Sequence, residues 1–81
     1  MQNSKGQAIN ARFFEALDML IGTREIHSFH DFCLRNSVDR RNLLRLRDQP
    51  TREFPMFLLG VIVLQYRISA DWLLTGRGQM R

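Results

Sequence analysis

A single cysteine, Cys33, among 81 residues rules out any disulfide within the chain, so stability must come from packing. No Cys/His set has zinc spacing, no glycine-rich phosphate loop is present, and nothing resembles a Ser/His/Asp arrangement. Neither a cofactor, a metal, a small-molecule substrate nor an enzymatic activity is therefore expected. Glu15 and Asp18 stand about one helical turn apart and read as a solvated face rather than a catalytic carboxylate pair. Long apolar runs are also missing. The most apolar stretch, residues 54–64, falls far short of the ~20 residues that cross a bilayer, and it lacks the polar side of a helix lying on a membrane. Residues 1–7 are polar and lead into no secretory signal, so a cytoplasmic location without a membrane partner is expected.

Lysine is nearly absent too. Lys5 is the only one, and the other bases are arginines, against a formal net charge of +4. A guanidinium presents a planar fork of donors that fits a phosphate or a guanine edge, where an ammonium is only a point charge. Across residues 35–52 six arginines face two acids, Asp39 and Asp48, so the excess charge is concentrated in one segment. A small basic domain points to nucleic acid or an anionic membrane surface. Apolar residues make up 44% of the chain, enough for a folded core anchored by aromatics.

The spacing predicts five short helices and no strand. Residues 1–8 read as a flexible arm and 9–81 as the folded domain. Asn10 is the expected cap of a first helix with Phe13, Leu17, Leu20 and Ile21 on one stripe, ending at Gly22. Ser28, with Asp31 three residues on, starts a second helix that buries Phe32 and Cys33. Asn36-Ser37 reads as a turn, Val38 as a buried plug, and Asp39 as the cap of a third helix. Leu43 and Leu46 face inward on that helix, while Arg40, Arg41 and Arg45 project outward. Pro55 suits the start of a fourth helix over 56–66. Ser69 caps a last one that Gly76 stops. Cys33 and Trp72 read as core residues, and His27 and His30 as exposed structural ones.

Two short helices joined by a tight turn, the second basic at its N-terminal end, follow the helix-turn-helix plan for reading a major groove. The closing string Ile68-Ser69-Ala70-Asp71-Trp72-Leu73-Leu74-Thr75-Gly76, with Arg77-Gly78-Gln79-Met80 after it, resembles the end of the XRE-type helix-turn-helix domains of lambdoid phage repressors. The resemblance extends over about residues 10–80 and implies an all-α, five-helix lambda-repressor-like DNA-binding domain, a transcriptional regulator of the repressor kind. In that alignment the base-reading positions fall on Arg40, Arg41, Asn42 and Arg45. Asp39 is within approach of a base, and Arg24, Ser28, Arg47 and Arg52 are expected on the DNA backbone. The chain departs from the family pattern at Phe29, Asn36, Ser37, Arg47 and Gln49, where glutamine, leucine, glycine, an acid and glycine are common.

The fourth helix is apolar on every side, which one helix of so small a domain cannot bury against its own core. Val61 and Leu64 are therefore expected at a homodimer interface suited to two half-sites on double-stranded DNA. The alternative is a protein-protein interaction module that keeps this fold and works through the fourth helix.

Overall fold

Helix α1 spans Ser4–Gly22 and is the element on which the others are laid. The computed structural model describes residues 4–49 and 53–81, and among these the chain is helical with no strand. After α1 come α2 (Phe29–Arg35), α3 (Arg40–Asp48), α4 (Phe57–Leu64) and α5 (Ala70–Thr75). Helix α1 packs against α3, α4 and α5, and α2 packs against α3.

The early start of α1 replaces the expected arm over residues 4–8 and the expected cap at Asn10, while residues 1–3 of that arm lie outside the described residues. Asn10 lies inside the helix and is buried, and residues 4–8 are already helical. Gly6 is a poor helix former, but this turn lies along folded surface. Gly6, Ile9 and Asn10 line one hollow with Phe54 and Leu59, and Gln7 and Ala11 line another with Leu46 and Arg47. Tertiary contact overrides local propensity here. At the other end Gly22 is the last helical residue, yet the left-handed backbone that turns the chain falls on Arg24 (φ 68°).

The core is aromatic at its centre. Phe13, fully buried, meets Phe14 edge-on at 5.2 Å, Phe54 at 4.9 Å and Phe32 at 6.2 Å between ring centroids. These contacts tie α1 to α2 and to the segment before α4. Around them the core includes Leu17, Leu20, Leu43, Leu58, Ile62, Ile68 and Leu73. Helix α4 is shorter than expected and begins after Pro55, whose carbonyl accepts from Leu58 N–H at 3.1 Å. Met56 at its start supplies no side-chain cap.

The closing string is fastened to the first helix. Ser69 Oγ accepts from Trp72 N–H at 3.1 Å, and Gly76 ends α5 in the left-handed conformation that glycine adopts freely (φ 79°). Arg12 Nε donates to Leu73 O at 2.7 Å and its Nη2 to Leu74 O at 3.2 Å, satisfying carbonyls at the end of α5. Further on, Ser69 N–H donates to Met80 O at 2.8 Å, while the Arg81 guanidinium grips both oxygens of Glu25 and donates to Tyr66 O at 2.9 Å. The tail is thereby latched across the turn that follows α1.

The latch gives a pH signature. The hydrogen bonds from Arg81, then that from Thr23, hold the Glu25 carboxyl at about 2, below its ordinary 4.5. A depressed carboxyl stabilises the fold fully above its unfolded value and loses that contribution as pH falls toward the folded one. Between pH 4.5 and 2, the unfolding midpoint of Glu25→Gln is expected to fall less steeply than that of the wild type, as followed by circular dichroism. Parallel curves would show that the latch contributes nothing.

Candidate nucleic-acid interface

The segment from Ser28 to Asp48 brings most of the predicted functional residues together. Ser28, in extended backbone, accepts from Asp31 N–H through Oγ at 3.0 Å and so starts α2. Asp31 does not complete a reciprocal box; its carboxylate pairs instead with Arg35 at 2.8 Å along the helix. At the far end, Asn36 Nδ2 donates to Phe32 O at 2.8 Å and Val38 N–H to Cys33 O at 2.9 Å, which closes a tight turn. Ser37 sits in that turn with φ 56°, in the left-handed region that favours glycine. Asp39 then caps α3, its Oδ1 accepting from Arg41 N–H at 3.3 Å.

Helix α3 is nine residues long, about 13 Å at 1.5 Å per residue. Leu43 and Leu46 turn inward, and Val38 packs against the core just ahead of the helix. Cys33 lies buried beneath the turn. Burial pushes its thiol up and keeps it protonated, against the opposing pull of the Arg40 charge.

Arg40, Arg41 and Arg45 are all exposed, and among the described residues no carboxylate pairs with any of them. The bases that do find acids are Arg35, Arg47 and Arg81. An unpaired trio on one short helix leaves its donors and its field to solvent. Asn42 is exposed but turned aside. It borders a hollow of about 620 Å³ between α3 and the segment before α4, with Arg45, Glu53 and Phe57 also on its wall.

No family model, curated protein or solved structure matches this chain.

Arg47, expected on a DNA backbone, is engaged within the protein. Its Nη2 donates to Asp18 Oδ1 at 2.8 Å, and the guanidinium carbon lies 4.8 Å from the Phe14 ring centroid and 5.7 Å from that of Phe29. It thus fastens the end of α3 to α1 and to the start of α2. Such stacking needs the planar guanidinium, and it gives Phe29, one of the departures from the family pattern, a structural partner. Arg24 is exposed on the turn after α1, and Arg52 lies outside the described residues. No group of His, Cys, Asp or Glu among the described residues could hold a metal ion, and none of their helices is long and apolar enough to cross a membrane.

The expected interface residues on α4 separate. Leu64 is 83% exposed, whereas Val61 is half-buried and packs against the core. Phe57, which the sequence reading did not single out, is 56% exposed one turn before Val61. Leu44, in the middle of α3, was missed as well. Its signal was available, because it falls opposite Leu43 and Leu46 on the helix.

The turn yields a test. Ser37→Gly removes the left-handed strain and is expected to raise stability by about 1 kcal/mol in urea unfolding. No gain would mean that the added freedom of glycine in the unfolded chain offsets the strain relieved.

Proposed function

We propose that the chain is a sequence-specific, double-stranded-DNA-binding transcriptional regulator of the repressor kind, rather than an enzyme, and that α3 is its reading helix. The observation that carries this reading is the set of exposed arginines without acid partners, Arg40, Arg41 and Arg45, on a helix anchored from behind by Leu43 and Leu46. A helix with its side chains fits a major groove about 12 Å wide. Arginine donates two parallel bonds to guanine O6 and N7, and asparagine serves adenine in the same way. Arg40, Arg41 and Arg45 are assigned to base edges, with Asn42 at their side. Arg24, Ser28 and Arg52 are assigned to phosphates, and Arg47 joins them only by exchanging Asp18 for phosphate. The resemblance of residues 68–80 to the end of lambdoid repressor domains supports a lambda-repressor-like helix-turn-helix arrangement.

The reading includes a homodimer. Helix α4 leaves Phe57 and Leu64 exposed, with Val61 half-buried between them, and one copy measures 31 × 29 × 18 Å. Two such copies side by side match half-sites about 34 Å apart. The exposed Phe57 and Leu64 also favour a second reading, a protein-interaction module working through this face.

Selection from a random duplex pool at about 150 mM salt, near physiological ionic strength, separates the two readings. An enriched inverted repeat is expected; a folded protein that enriches nothing points to the interaction module. On the selected duplex, affinity should fall with salt at a log–log slope of about −0.9 per phosphate neutralised. Arg41→Ala should cost about 1–3 kcal/mol and relax the preference at one base pair. An equal loss on every sequence would reassign Arg41 to the phosphates. Sedimentation should show a dimer that Leu64→Glu converts to monomer; a wild type that stays monomeric at high concentration removes the dimer.

A further inference from the structure

The outward face of α3 is not uniformly polar. Leu43 and Leu46 define the inward direction, and at about 100° per residue the opposite side is occupied by Arg41, Leu44 and Arg45, with Asp48 at the end of the helix. Leu44 is 36% exposed and belongs neither to the core nor to the apolar residues packed against it. Arg40 and Arg41 precede it by four and three residues and are its neighbours on the helix surface.

A lone exposed leucine needs no explanation. This one lies among arginines that have no acid partner, and that surrounding restricts what covers it. An apolar protein surface closing over Leu44 would strip water from the guanidinium groups without replacing their hydrogen bonds. A polyanion satisfies them. Within its polar major groove, double-stranded DNA offers one apolar group, the 5-methyl of thymine, beside the guanine edges that suit Arg41 and Arg45.

We infer that Leu44 is a specificity-determining residue, packing against the 5-methyl group of a thymine next to the bases read by its flanking arginines. The inference rests on the DNA-binding reading above and adds to it a base preference that no polar residue of α3 supplies. Leu44 makes no hydrogen bond in this role, so the discrimination is for a methyl group and not for a donor or acceptor pattern.

The test removes that methyl group alone. In the selected duplex each thymine is replaced in turn by deoxyuridine, which pairs identically and lacks only the 5-methyl. Wild-type protein is expected to lose about fourfold in affinity at one thymine per half-site, the factor for burying one methyl-sized group. Leu44→Ala, checked for its fold by circular dichroism, should bind the thymine and deoxyuridine duplexes equally at that position and keep any sensitivity elsewhere. Equal losses in both proteins, or no sensitive thymine at all, overturn the role of Leu44 while leaving the DNA-binding reading intact. Failure to enrich any duplex overturns that reading, and the role of Leu44 with it.

Discussion

The rest of the molecule depends on the burial of Phe13. A chain of this length has little interior, and a domain so small buries only about 60–65% of the surface its unfolded chain exposes. Phe13 spends that interior at one point. Its ring meets Phe14 on its own helix, Phe32 on α2 and Phe54 ahead of α4. Aromatic pairs at these separations and angles add specific geometry to burial. Phe14 carries the arrangement to the surface, where Arg47 stacks on it and fixes the end of α3. The orientation of the arginine face is therefore set by a chain of contacts that begins on α1, which itself presents nothing to that face.

Much of this was legible in the sequence, for identifiable reasons. Ser28, Asp39, Ser69 and Gly76 mark helix ends by chemistry contained within three or four residues, and each stands where it was expected. Leu43 and Leu46 against Arg41 and Arg45 give an unambiguous periodicity. The errors share a different cause. Asn10 has the chemistry of a cap, but contacts from the far side of the chain extend the helix past it and bury it. Pro55 has the chemistry of a first helical residue, yet the regular helix begins only at Phe57. Arg47 is a surface base by sequence, and only the tertiary fold brings Asp18, Phe14 and Phe29 to it. Helix α4 carries no polar residue to mark its outer side, so nothing local distinguishes half-buried Val61 from exposed Leu64.

The beginning of α3 runs against the helix's own electrostatics. Unsatisfied N–H groups place a partial positive charge at a helix N-terminus, where cations are unfavourable by about 0.3–1 kcal/mol each. Arg40 and Arg41 occupy that first turn, which holds no acidic residue. Asp39 offsets part of the conflict through its cap and its charge. Among the described residues Arg35, Arg47 and Arg81 meet carboxylates, whereas Arg40, Arg41 and Arg45 meet none. A position that breaks a local rule with only partial compensation inside the protein is where a function is expected. The imbalance at α3 leaves the donors of Arg40 and Arg41 to solvent, and on the proposed reading a duplex would supply the anions that relieve it. On that reading the excess charge that weakens the helix in isolation would strengthen its complex, and stability and binding would be coupled at Arg40 and Arg41.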